Sequence, residues 1–281
     1  MTEKPQNEDV WRSIFETGNP QLQGLRKHYD WWPAWPSYAR CRLCLLPFSG
    51  IGGVWMRRVH NWRPSERNRH YCNKCDDFIN KYPGGAEVTI SVLFVDVRNS
   101  VGLAEKIGPT EYGRIINEFT VTASETLTDA DGFIVKFSGD AVAAVYPPGF
   151  LRANYAQRAI AGAEQLLRTK MPSTPYGELA IGIGVYTGIA YIGTLHSQKL
   201  ASNRTGYDPA YFEVQPLGDV PNVSARLSGE ASPSEALISE STLAAAGYKP
   251  GELEPHDRDL KGRHAPVTTY ALTRDTSPLG E

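Results

Sequence analysis

The chain has 281 residues, 41% of them hydrophobic and 21% charged, enough for one large domain with a buried core and a small accessory one. A net charge of −2 supplies no global field that would draw in nucleic acid or an anionic membrane. The four cysteines fall into two CxxC pairs, a pattern that in a reducing compartment argues for metal and against disulfides.

In chain order, residues 1–25 read as a flexible lead-in with one short helix around 10–16. Residues 1–10 are polar and contain no signal-peptide-like stretch, so the chain is expected in the cytoplasm. Residues 26–82 form a distinct region that holds all four cysteines and many arginines. Tyr82-Pro-Gly-Gly85 reads as a linker or turn. Residues 88–97 are apolar and β-branched, which predicts a buried strand. Pro109-Thr110-Glu111 starts a helix along which Tyr112, Ile115, Ile116 and Phe119 recur at helical spacing. Residues 133–137 and 141–146 predict a hairpin closed by Ser138-Gly139-Asp140. Residues 152–168 predict a second amphipathic helix. The longest charge-free run, 179–195, is short for a membrane span and is broken by Gly182, Gly184, Gly188 and Gly193. It reads as two strands, 179–186 and 189–194, joined at Thr187-Gly188. Residues 221–229 predict a helix with Pro221 in its first turn, 267–272 a last strand, and 274–281 a tail. Strands interleaved with helices predict an α+β fold with helices on one face of a sheet.

Two carboxylates stand where this layout would bring strand ends together: Asp96 near the end of the first strand and Asp140 in the hairpin turn. A carboxylate pair at open backbone suits Mg2+, which takes oxygen ligands and shares its shell with substrate phosphates. Taken singly, Asp140 is better explained as a turn former and Asp96 as a strand-end residue; the surrounding segments shift the balance toward metal. Asn222 and Arg226 are i,i+4 and project from one helical face, where an amide and a guanidinium can orient a sugar and neutralise a phosphoryl group. Alone, that pair would read as solvated surface, and Lys261 as an exposed lysine.

The segments in series resemble a known family. Val92-Leu-Phe-Val-Asp-Val-Arg98, Val135-Lys-Phe-Ser-Gly-Asp-Ala141, Ile183-Gly-Val-Tyr-Thr-Gly188, Gly218-Asp-Val-Pro-Asn-Val-Ser-Ala-Arg-Leu227 and Leu260-Lys-Gly262 occur in the order found in class III adenylate/guanylate cyclase domains, over about residues 87–273. The resemblance implies a ferredoxin-like α+β core. It also implies a head-to-tail homodimer whose two interface sites each hold two Mg2+ or Mn2+ ions and convert a nucleoside triphosphate to a 3′,5′-cyclic monophosphate and pyrophosphate. By position, it makes Asp96 and Asp140 the metal-binding aspartates and Lys136 a base reader. Asn222 matches the ribose-orienting asparagine, Arg226 the arginine that stabilises charge on the α-phosphate, and Lys261 a triphosphate-contacting lysine. Asn99 and Ser100 stand in a loop whose backbone should approach phosphate; the family often has Gly-Ser-Thr or Gly-Phe-Thr there.

Base choice is the ambiguous part. Lys136 can only donate, so it needs an acceptor on the base, and it argues against GTP, for which glutamate is usual. Gln215 stands where adenylate cyclases tend to have Asp or Thr. It can accept from adenine or cytosine or donate to uracil. ATP is the first expectation. A pyrimidine substrate, giving cyclic UMP or cyclic CMP as in phage-defence cyclases of this class, is the alternative. An inactive cyclase-like binding or regulatory module is a further one, which the retained Asp96, Asp140, Asn222 and Arg226 argue against.

Cys41-Arg-Leu-Cys44 and Cys72-Asn-Lys-Cys75 have zinc-knuckle spacing, and four thiolates would close one structural Zn2+ site. Four buried free thiols are the weaker reading. So short a region would draw stability from the metal. Some bacterial cyclases of this class are similar here too, with a Cys-x-x-Cys-x-x-Pro-Phe segment before the cyclase domain, matched by residues 41–48. Eight cations lie between Arg40 and Cys75 against Glu66 as the one acid, yet nucleic-acid binding ranks below a regulatory or dimer-supporting role. No membrane partner is expected.

Overall fold

A computed structural model describes residues 7–17, 37, 39–151, 154–196, 212–249, 253–263 and 265–276. The chain divides into two compact units, Met1–Val88 with Tyr191–Pro216, and Thr89–Ala190 with Leu217–Glu281.

In the first unit, α1 (Asn7–Arg12) runs into a π-turn at Ser13–Thr17. The helix buries Trp11 against Phe78 and donates its indole N–H to the Tyr82 carbonyl at 2.8 Å. Phe15 stacks on Trp11 from the other side of the bend. α2 (Gly50–His60) stops where Asn61 turns left-handed at φ 52°. α3 (Asn73–Lys81) is N-capped by the Cys72 sulfur, which accepts from the Cys75 N–H.

β1 (Gly85–Val97) contributes residues to both units. Its Val and Ile side chains suit a strand buried on both faces. α4 (Ser100–Ile107) and α5 (Pro109–Asp129) follow, with Pro109 at the first position of α5, where its missing N–H costs nothing. β2 (Phe133–Ser138) and β3 (Ala141–Tyr146) form the expected hairpin, with Gly139 at φ 63° making its turn. α6 (Tyr155–Arg168) and a two-residue hairpin, β4 (Ser173–Thr174) with β5 (Gly177–Glu178), lead to β6 (Ile181–His196). Then come β7 (Phe212–Leu217), α7 (Asp219–Glu230), β8 (Glu235–Ser239), α8 (Glu240–Ala246), β9 (Pro255–Arg258) and β10 (Val267–Leu272). The sheet order is β2-β3-β1-β6-β8-β10-β9, with β7 also paired to β6. β6 and β8 run parallel, while β3 is antiparallel to both β1 and β2.

Two expectations are corrected. Residues 181–196 form one strand and not two joined at Thr187-Gly188. A turn glycine there would need a left-handed backbone, and Gly182, Gly184, Gly188 and Gly193 all lack positive φ. Thr187 is instead buried mid-strand, bonded to Ser91 at 2.6 Å and Thr242 at 2.9 Å. The second correction concerns the helices, which cover both faces of the sheet. Alternate residues of one strand sort accordingly: Ala236 and Ile238 join the core under α5, α6 and α8, whereas Leu237 joins the core under α7. Gly182 and Gly184 are what let α7 approach. A Cβ on Gly184 would fall 2.3 Å from the Ser224 carbonyl oxygen, and one on Gly182 2.6 Å from that of Ser228. Among the described residues, no helix is long and apolar enough to cross a membrane.

Candidate active site

The second unit brings the two aspartates together. Asp96, the penultimate residue of β1, is opposite Ala141 in the β1–β3 register, one residue past Asp140. The Val97 N–H donates to the Asp140 carbonyl at 3.2 Å, which fixes the hairpin turn beside the end of β1. Burial pushes the Asp96 carboxyl above its usual range; the Arg98 charge opposes this and the Asp140 charge adds to it. Two half-buried acids at neighbouring strand ends, with the Asp140 charge working against ionisation of Asp96, are a set that a divalent cation with oxygen ligands would relieve, so the donor set fits Mg2+ or Mn2+.

The sequence alone assigns Arg98 no role. Its Nη2 donates to Asp96 Oδ2 at 2.6 Å, and its Nη1 donates to the Gly229 carbonyl at 2.6 Å, tying the carboxylate to the end of α7. The i,i+2 spacing of Asp96 and Arg98 at a strand end is the signal that could have found it.

α7 carries the next pair. Ser224, buried on its inner face, has the Val92 and Gly184 carbonyls at 2.9 and 2.8 Å as acceptors for its one hydroxyl proton, so the helix is pinned to the sheet and Asn222 and Arg226 point outward. Asn222 Nδ2 donates to the Gly218 carbonyl at 2.8 Å. Arg226 lies alongside the turn that holds Lys261: a Cβ on Gly262, at φ 80°, would be 3.7 Å from Arg226 Nη2. Arg263 anchors that turn to the start of α7 through Asp219 Oδ2 at 2.5 Å, and its guanidinium sits over the Tyr186 ring. Arg226 and Lys261 are both exposed, the first beside the turn that carries the second. Asn99 is left-handed at φ 53° and its carbonyl accepts from the Leu103 N–H, leaving Ser100 to begin α4 with its N-terminus at the Asp96 end of β1. Lys136 lies in β2; its side chain is outside the described residues.

In the first unit the four cysteine sulfurs lie within 4.8 Å of one another, all buried. Cys44 and Cys72 are 3.7 Å apart, against about 3.8 Å between thiolates on a tetrahedral Zn2+ with bonds of about 2.3 Å. Two backbone N–H groups already point at sulfur: Cys72 to Cys41 at 3.2 Å and Cys75 to Cys72 at 3.4 Å. Burial works to raise the Cys41 thiol, but hydrogen bonds from Cys44, Cys72 and Cys75 outweigh it and hold Cys41 well below the ordinary thiol value. The cluster fits a metal site built from four thiolates. Arg67 pairs with Asp76 and Asp77 at 2.7 Å each, and Asp76 also accepts from Ser65, so part of the basic run is internal structure. Gln215 lies in β7, in the first unit, with its amide nitrogen on Glu213 Oε2 at 2.8 Å.

No family model matches the chain. It is 27% identical over 193 residues to the terminal-differentiation-specific adenylate cyclase of Dictyostelium discoideum, covering 66% of this chain and 8% of that one. It is 25% identical over 145 residues to an adenylate cyclase of Anabaena cylindrica, covering 50% and 27% respectively. The chain thus spans under a third of the length of either relative. Among solved structures, it superposes on the guanylyl cyclase Cya2 with a TM-score of 0.55 at 22% identity, covering 67% of this chain and 93% of that one. The chain is thus similar in sequence to these adenylate cyclases over part of their length, and its fold is that of the cyclase domain in the solved structure.

Proposed function

We propose that this chain is a nucleotide cyclase that converts a nucleoside triphosphate, ATP in the first place, to its 3′,5′-cyclic monophosphate and pyrophosphate at a homodimer interface. The observation that carries the reading is the meeting of Asp96 and Asp140 at adjoining strand ends in a cyclase fold. Asp96 and Asp140 would hold two Mg2+ or Mn2+ ions. When bound, these supply charge neutralisation on the triphosphate and acidify the ribose 3′-hydroxyl.

The chain's own residues do the positioning. Asn222 orients the ribose so that its 3′-oxygen is in line with the α-phosphorus. A new bond forms between that oxygen and phosphorus, the bond to the bridging α–β oxygen breaks, and the 3′-hydroxyl proton leaves to solvent. Arg226 stabilises the charge that builds on the α-phosphoryl oxygens, while Lys261 and the N-terminus of α4 at Ser100 hold the remaining phosphates. Lys136 and Gln215 read the base. Zn2+ in the cysteine cluster is structural in this reading.

The test is a competition among ATP, GTP, UTP and CTP at equal concentration, with products identified by mass. One cyclic product should dominate, with cyclic AMP as the first expectation. Gln215→Asp should move the product ratio toward cyclic AMP, because a carboxylate can only accept from the adenine 6-amine. An unchanged ratio would remove Gln215 from the base-reading set, and no cyclic product from any of the four would refute the function.

A further inference from the structure

The strand that carries Gln215 is gripped by the cysteine knuckle, entirely within the first unit. The buried Tyr71 hydroxyl accepts from the Val214 N–H at 2.9 Å. Arg42 Nη1 lies 3.8 Å from Glu213 Oε1. Each anchor is the chain neighbour of a clustered cysteine, Arg42 after Cys41 and Tyr71 before Cys72. The anchors are also tied to each other: Cys72 N–H donates to the Cys41 sulfur, and Arg42 N–H donates to the His70 carbonyl at 2.8 Å. On the strand, Glu213 and Gln215 are two residues apart and so share a face, where Gln215 Nε2 donates to Glu213 Oε2 at 2.8 Å.

That last contact is one-sided. A carboxylate only accepts, so the amide turns its NH2 to Glu213 and its carbonyl oxygen away. Without such a neighbour a glutamine amide turns to suit either a donor or an acceptor. With it, the oxygen is committed as the group offered to a ligand.

We propose that Glu213, held by the cysteine knuckle through Arg42 and Tyr71, orients Gln215 as an acceptor and so makes the site choose bases with an amine at the position where guanine and uracil carry a carbonyl: adenine at C6 or cytosine at C4. The proposal rests on Gln215 as a base reader and adds the residue that sets its direction. Glu213 is a positioning residue; it does not touch the reacting atoms. A metal held by Cys41, Cys44, Cys72 and Cys75 would keep Arg42 and Tyr71 in place and so would bear on which base is accepted.

Glu213→Gln tests it. The variant is isosteric and one-third exposed in side chain, and its own amide can accept or donate, so Gln215 is free to turn over. The ratio of kcat/KM for ATP to that for UTP should fall about tenfold, the worth of one well-placed hydrogen bond. The change should lie in KM, with kcat on ATP within about threefold of wild type because no group at the reacting phosphorus has moved. Dissociation constants for 3′-deoxy-ATP and 3′-deoxy-UTP, which lack the nucleophile, should shift in the same sense, and this arm needs no turnover. Tyr71→Phe keeps the ring but removes the acceptor for Val214. It should lower the same ratio severalfold with metal content still about one Zn2+ per chain. A structural weakening alone would raise KM for all four nucleotides together. Equal changes for every base, or an unchanged ATP-to-UTP ratio in Glu213→Gln, would overturn the proposal. If Gln215→Asp still redirects the products in that case, base reading by Gln215 survives and only the role of Glu213 falls. If neither variant moves the ratio, Gln215 is not the reader.

Discussion

Asp140→Ala should lower turnover by about a thousandfold or more in Mg2+, because one carboxylate cannot hold two divalent ions against their hydration. Metal-ion charge stabilisation is worth several kcal/mol, and about 4 kcal/mol of it corresponds to that factor. The fold should survive the change. Asp140 sits half-buried in a hairpin turn whose backbone conformation is supplied by Gly139, and its structural hydrogen bond to Val97 comes from the main-chain carbonyl. Asp96→Ala should be equally inactive but is the less clean variant, since it also strips Arg98 of its carboxylate partner. Steady-state rates with circular dichroism on the same samples check this. Near-wild-type cyclisation by folded Asp140→Ala would remove the metal-pair assignment.

The second large effect belongs to Arg226. Removing a donor aimed at developing charge costs about 10² to 10³ in kcat, and Arg226→Ala should fall in that range with a smaller change in KM. α7 will tolerate the substitution, because Arg226 is exposed and the helix is held by Ser224, Val223 and Leu227 beneath. If each site is built from two chains, Arg226→Ala and Asp96→Ala are inactive alone and complement when mixed. After full subunit exchange, half of the dimers are mixed and one of their two sites is intact, so about a quarter of wild-type activity should return. No recovery under demonstrated exchange would refute the composite site, and full activity of an isolated monomer would refute it more directly.

The site lay in the sequence in uneven depth. The 133–146 hairpin and the helix from Pro109 announce themselves because turn glycine, proline and periodicity are local properties. The β6 glycines mislead for the opposite reason. Gly182 and Gly184 are there to admit α7, a segment some forty residues away, and nothing local separates a packing glycine from a turn glycine. That same misreading hides the second helical layer, since the alternation of Ile and Gly along 181–184 is the trace of a face that receives a helix backbone. The cysteine cluster was legible from spacing, but its neighbours were not. Arg42 and Tyr71 read as one more cation and one more aromatic until β7, about 140 to 170 residues later, is placed against them. Likewise, Arg98 and Glu213 become meaningful only once Asp96 and Gln215, each two residues away along the chain, have roles to be positioned for.

The most direct measurement follows the atoms through one reaction. Purified protein is incubated with ATP labelled at the α-phosphorus, in Mg2+ or Mn2+, and both products are counted. The label should appear in 3′,5′-cyclic AMP, with one pyrophosphate released per cyclic nucleotide formed, and Asp140→Ala should release neither. Label recovered in ADP or linear AMP without a cyclic product, or no turnover of ATP or of any other ribonucleoside triphosphate, would contradict the account.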